Sequence, residues 1–142
     1  MRKLLVPFDG SESALRALQH AVKLAKQAPP AALHVVHAHE EPLLYGEIAV
    51  YVPKEKMADL QRKHSDAVLG AAISVLKESG VTYETEVLIG PIGDVVAKRA
   101  DELGCEGIVL GTRGLSAIGN LVMGSVATKI IHLAKVPVTL VK

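Results

Sequence analysis

A chain of 142 residues, 49% of them hydrophobic, suits one compact domain, expected here over residues 1–142. A chain of that length buries about 70% of its unfolded surface and needs no metal or disulfide staple. Its 16 basic and 15 acidic residues leave a net charge of +1, which excludes a broad basic face for nucleic acid, and one Phe, three Tyr and no Trp offer little for stacking bases.

Leu4 to Phe8 reads as a short buried strand, followed by the turn Asp9-Gly10-Ser11. That apolar stretch is too short for a signal-peptide core, and no run reaches the length of a membrane span, so a cytoplasmic location without membrane insertion is expected. Ser11 or Ser13 caps the next helix, whose apolar side is Ala14, Leu18, Ala21, Val22 and Ala25, and Pro29-Pro30 ends it. Leu33 to Ala38 is the second strand, and Glu40 to Pro53 a loop carrying Tyr45, Gly46 and Tyr51.

From Lys54 to Ser79 the positions Met57, Leu60, Ala67, Val68, Ala71, Val75 and Leu76 mark a long amphipathic helix stopped by Gly80. Its charged stretches, Lys54-Glu55-Lys56 and Gln61-Arg62-Lys63-His64, read as a solvated face. Tyr83 to Ile89 alternates with polar residues, as an edge strand does, and Pro91 starts a helix through Leu103 with Ile92, Val95, Val96 and Ala100 inward. Gly107 to Leu110 is the fourth strand, Ser125 to Ala134 the last helix and Val136 to Val141 the last strand. Strands alternating with helices and no internal repeat predict an α/β fold, a doubly wound parallel sheet.

Two signals are discounted. His34, His37 and His39 with Glu40 and Glu41 look like metal ligands, but strand alternation sets His34 opposite the other two, so core packing and crevice lining are expected. The lone cysteine, Cys105, excludes a disulfide framework and fits a reducing compartment; with no basic neighbour in sequence it reads as an inert thiol.

The stretch from Gly111 to Ser125 carries the chemistry. A buried strand stops at Gly111, Gly114 follows, and Gly124-Ser125 opens a helix. Glycines let backbone take left-handed angles and approach a ligand, while unpaired N–H groups at a helix start favour anionic oxygens. Taken singly, Gly111 is equally a strand end and Gly124 a packing position.

Gly111, Gly114, Gly124 and Ser125 together spell G-x2-G-x9-G-[S/T]. With LLVPFDGS at the start, LHVVHAHE in the middle and VPVTLVK at the close, the chain resembles the universal stress protein family over almost its whole length. The loop spacing is that of the single-domain, ATP-binding subgroup. The resemblance implies a five-stranded sheet of order 3-2-1-4-5 with helices on both faces, the adenine nucleotide alpha hydrolase-like fold. In that order Pro7 falls in a central strand, where a missing donor costs a ladder bond, so the ladder should already be ending there.

Ligands of open parallel sheets sit beyond the strand carboxyl ends, where the winding reverses. Under the implied order that point lies between Phe8-Asp9-Gly10-Ser11 and Gly111-Thr112-Arg113-Gly114. The resemblance assigns Pro7, Phe8 and Asp9 to the adenine and ribose side, the backbone at Ala38 to the adenine edge, and Gly111, Thr112, Arg113 and Gly114 to ribose and phosphates. Gly124, Ser125 and Val126 would hold the phosphate chain, with ATP as the implied ligand and ADP or AMP left open.

Arg113 is either a phosphate contact or a solvated loop arginine. No metal is expected from protein ligands alone; Mg or Mn could bridge the phosphates through Asp9, for which a turn or capping role stands alongside.

Phosphoryl transfer needs an oriented nucleophile and charge clamping. The chain has no G-x4-G-K-[ST] loop and no base beside the glycine loop, and nothing selects among Thr112, Ser116 and Ser125, so no catalytic residue is assigned. The expected function is a nucleotide-dependent stress-response regulator with at most slow ATP turnover and an unidentified protein partner. A nucleotide-independent dimeric interaction module is the alternative, and an ATPase or phosphotransfer enzyme the least supported reading. A homodimer is expected through Val136, Pro137, Val138, Thr139, Leu140 and Val141, an apolar edge free of charge that invites pairing.

Overall fold

The computed structural model describes residues 2–41, 53–113 and 124–142. Within them, strands β1 (Arg2–Pro7), β2 (Ala31–His39), β3 (Thr82–Ile89), β4 (Gly107–Gly111) and β5 (Val138–Val141) alternate with helices α1 (Glu12–Gln27), α2 (Lys54–Ser79), α3 (Ile92–Glu102) and α4 (Ser125–Leu133). The strands form one sheet of order β3-β2-β1-β4-β5, every pairing parallel, as expected.

Successive strand side chains point to opposite faces, and the strands are apolar on both. Val6, Leu33, Val35 and Val109 pack with Leu18 of α1 and Leu69, Ala72 and Leu76 of α2, while Leu5, Val36, Ile108 and Leu110 pack with Val96 of α3 and Ile130 of α4. Two cores therefore sandwich the sheet. Leu5, Leu18, Leu33 and Leu76 are fully buried, and truncating such a leucine to alanine costs about 2–5 kcal/mol.

Helix α2 begins and ends where the pattern placed it, with Gly80 capping it at φ 74°. Its buried face is phased differently from expectation. Ser65, Leu69, Ala72 and Leu76 point inward, Val68 and Val75 are half-buried, and Ala67 and Ala71 face solvent. At 26 residues the helix is roughly 39 Å long, against roughly 30 Å for the nine-residue β2, so its first turns overhang and Leu60 is 50% exposed.

Pro7 sits where its missing donor matters least. Phe8 N donates to Val36 O at 2.8 Å, so strand alternation turns the Pro7 nitrogen toward β4, where the register covers only Leu4↔Gly107 and Leu5↔Ile108. At the other end of the sheet Pro137 precedes β5 and contributes only its carbonyl, which accepts from Ile108 N at 3.0 Å.

The two sheet edges differ. On β3 the alternation toward α3 is polar, with Thr82, Glu84 and Glu86, and Glu86 accepts from Arg99 Nε at 2.9 Å and bonds His34 Nε2 at 2.7 Å. Burial alone would raise the Glu86 carboxyl, but those two hydrogen bonds outweigh it and hold it below the ordinary carboxylate range. On β5, Leu140 is 43% exposed and no charge interrupts Val138 to Val141.

Candidate functional site

The exits of β1 and β4 meet at the winding reversal and bound a cleft of about 260 Å³. Its walls include Pro7, Phe8, Asp9, Ala38, Gly111, Thr112, Arg113, Gly124, Ser125 and Val126, so ten of the residues named from the sequence are gathered in one place. Gly114 lies outside the described residues, as do Tyr45, Gly46, Tyr51 and Ser116.

The β1 side is built by short-range polar bonds. Asp9 Oδ1 accepts from Ser11 N at 2.9 Å, closing a turn around Gly10, whose φ of 85° is in the left-handed region that favours glycine. Ser11 Oγ then accepts from Ala14 N at 3.1 Å as the α1 cap and donates to Arg113 O at 3.3 Å. Asp9 thus fills the turn role the sequence left open.

Ser13 joins this side to β4. Its hydroxyl accepts from Arg113 N at 3.2 Å and donates to Val141 O at 3.3 Å, and Thr112 N also donates to Val141 O at 3.0 Å. A Cβ on Gly111 would lie 2.5 Å from Ser13 Oγ and 2.7 Å from the Ser13 carbonyl carbon. Gly111 is therefore required by the approach of α1.

Gly124, at φ −75° and ψ 163°, is ordinary extended backbone, so left-handed geometry explains neither of these two loop glycines. Gly124 N donates to Thr112 O at 2.6 Å, fixing the start of α4 against the β4 exit. That start has no side-chain cap and no acid in its first turn. Thr128 N is the first α4 amide bonded back, to Gly124 O at 3.1 Å, which leaves the Ser125, Val126 and Ala127 N–H groups at the cleft.

Six further lining residues were not named as site residues: Ser11, Ala14, Ile92, Val96, Leu110 and Ala127. Ile92 and Val96 were legible only as the inner side of a helix; the sheet order turns that side into an apolar wall. Among the described lining residues only Asp9 and Arg113 carry charge, and Arg113 points to solvent while its backbone is held by Ser11 and Ser13. Apolar surface on one side and N–H groups with no partner among the described residues on the other suit a ligand with a flat apolar body and an anionic tail.

The histidines fall as strand alternation predicts. His34 packs on the α3 side with Glu86; on the opposite face the His37 ring lies 6.1 Å from that of His39 and 5.9 Å from that of His64. Burial lowers the His37 pKa, its bond to the Phe8 carbonyl opposes this, and the neighbouring histidines lower it further. Among the described residues no group of three or more His, Cys, Asp or Glu is placed to hold a metal ion. Burial pushes the Cys105 thiol up, away from reactivity.

A second cleft, of about 770 Å³, runs between the overhang of α2 and the end of β3, with Glu41, Lys54, Arg62 and Asp66 on its rim. It is larger, yet it is remote from the winding reversal, and the helix start that borders it, that of α2, carries the acid Glu55 in its first turn. No described helix is long and apolar enough to cross a membrane.

Comparison with known proteins agrees with this architecture. The model of the universal stress protein family matches residues 1–142. Universal stress protein YxiE of Bacillus subtilis is 32% identical, the match covering 99% of this chain and 98% of that protein. Among solved structures, a universal stress protein from Archaeoglobus fulgidus in complex with dAMP superposes with a TM-score of 0.70 at 26% identity, covering 100% of this chain and 98% of the other. A universal stress protein in complex with cAMP gives a TM-score of 0.71 at 27% identity, with 99% and 96% covered.

Proposed function

Because this chain belongs to the universal stress protein family, we propose that it is an ATP-binding stress-response regulator acting in the cytoplasm as one domain over residues 1–142. The observation that carries the reading is the uncapped start of α4 at the cleft between the β1 and β4 exits. Three N–H groups at the positive end of a helix whose first turn holds no acid favour an anion such as a phosphate chain. Relatives solved with cAMP and dAMP support an adenine nucleotide as the occupant.

In this reading the base lies against Ile92, Val96 and Ala38, the ribose beside Asp9, Gly111 and Thr112, and the phosphates at Gly124, Ser125 and Val126, with Gly114 and Arg113 proposed as further contacts. The cleft walls supplied by the described residues enclose somewhat less than the roughly 300–1,000 Å³ of small-molecule sites. Mg or Mn would be held by the phosphates, with Asp9 as the one carboxylate among the described lining residues. ADP or AMP would fit the same walls.

The protein holds the nucleotide and turns it over slowly at most. No Lys or His lines the described part of the cleft, and of its two charged residues Asp9 is tied to the Ser11 turn and Arg113 is exposed, which supports holding a nucleotide over transferring its phosphate. Nucleotide held at a hundred times its Kd stabilises the fold by about 2.7 kcal/mol, which is the regulatory signal proposed here.

A homodimer through Val136 to Val141 is part of the same proposal, supported by the apolar, exposed edge at Leu140. That edge is also what favours the second reading, an interaction module indifferent to nucleotide. Purifying the protein without added nucleotide, denaturing it and assaying the supernatant separates the two. Adenine nucleotide near one per chain, or a thermal shift on adding ATP to empty protein, is the expected result; empty protein with no shift would leave only the module.

A further inference from the structure

We propose that His37 is a positioning residue: by taking the Phe8 carbonyl onto its ring, it leaves the backbone edge of Ala38 open to the cleft as the reader of the nucleotide base. The inference rests on the nucleotide reading above.

The β1–β2 register runs from Arg2↔Ala31 to Pro7↔Val36, and one rung follows it, from Phe8 N to Val36 O at 2.8 Å. In a strand the N–H and C=O of alternate residues face the same neighbour. Val36 and Ala38 therefore face β1, while His39 faces β3, where its carbonyl accepts from Gly90 N at 2.9 Å. The next rung of the β1–β2 ladder would join Ala38 N to Phe8 O. Instead the His37 ring takes that oxygen, with Nδ1 at 3.0 Å, and among the described residues no backbone bond joins Ala38 to Phe8.

A carbonyl only accepts, so Nδ1 carries the proton. The ring is 6% exposed and burial favours its neutral form, which leaves Nε2 without a proton; that atom is buried with no partner among the described residues. Leaving a buried acceptor unsatisfied is unfavourable, so an apolar ring would pack this position better. What an apolar ring cannot do is occupy the Phe8 carbonyl. Ala38 lines the cleft, and its N–H and C=O, side by side on one strand edge, match an adenine edge on which N1 accepts and the N6 amino group donates. Guanine offers O6 and N1–H in the reverse order.

The test measures hydrogen exchange at the Ala38 amide together with calorimetric binding of AMP and of ribose 5-phosphate, in wild type, His37→Phe and His37→Asn. In wild type the Ala38 amide should exchange as an unbonded group and be slowed by AMP but not by ribose 5-phosphate. In His37→Phe, Ala38 should be protected without ligand and AMP should bind about tenfold more weakly, with ribose 5-phosphate unchanged and the melting temperature equal or higher. His37→Asn, which keeps a short side-chain donor, should restore AMP binding.

A protected Ala38 amide in empty wild-type protein would overturn the inference, as would His37→Phe binding AMP like wild type or losing both ligands equally. An open Ala38 amide in a protein that binds neither ligand would instead defeat the nucleotide reading, and the base-reading role with it.

Discussion

The starts of α1 and α4 stand on opposite sides of one cleft and are finished in opposite ways. At α1, Ser11 caps the helix and Glu12 adds an acid to its first turn; at α4, Gly124 supplies no side chain and the first turn has no acid. The first satisfies its own amides and so stabilises the fold. The second leaves its amides to an external anion, which separates scaffold from binding surface within a single site.

The largest effect should come from breaking the scaffold side. Gly111→Val would press a branched side chain into Ser13, where a Cβ alone already falls 2.5 Å from Oγ. Overpacking of this kind costs about 3 kcal/mol. Denaturant unfolding should register that loss, and nucleotide binding should fall with it.

Ser125→Asp acts on the other helix and should split the two properties. An acid in the first turn of α4 complements its dipole and stabilises the empty protein by about 0.5 kcal/mol. The same charge occupies the place proposed for phosphates, so ATP affinity should drop about tenfold or more. A calorimetric titration beside a melting curve checks both signs; weaker binding with weaker folding would mean that α4 is scaffold too.

Ser11→Ala, the counterpart at α1, should lower stability by about 1 kcal/mol through loss of the cap to Ala14 N. Its effect on affinity should be confined to whatever slack it gives Arg113, whose carbonyl loses one donor.

The smallest effect is a pH dependence at His37, the residue before Ala38 of the cleft wall. The folded His37 pKa lies below its ordinary 6.5, so the unfolded chain takes up that proton first. Stability is complete above about pH 6.5 and declines as pH falls toward the folded value. His37→Phe should remove this part of the decline and leave a separate one at lower pH, where Glu86, held below its ordinary 4.5, becomes protonated. Unfolding curves from about pH 7 down to about pH 3, in steps of about half a unit, resolve the two.

Much of this was legible in the chain because local rules carried it. Gly80 ends α2, Ser11 caps α1, and the polar alternation of β3 marks an edge, each through residues adjacent in sequence. The phase of α2 was not legible: Leu69 and Ser65 are buried because the sheet meets that face, and the overhang that exposes Leu60 depends on strand length rather than helix periodicity. The reason for Gly111 was also hidden. Its neighbour Ser13 lies on the first helix, far away along the chain, and only the parallel crossover brings them together. Ile92 and Val96 were readable as apolar, but their place in a cleft wall follows from the sheet order.

The central claim is that a nucleotide phosphate sits on the open amides of α4. Amide resonances of Ser125, Val126 and Ala127, followed by NMR while ATP is titrated in, test it at the atoms concerned. Saturable shifts at those three amides, larger than that of the Ala14 amide, which lines the same cleft but is already capped by Ser11, are the predicted result. Three amides that stay in place at saturating ATP, or that move no more than Ala14, would contradict the account.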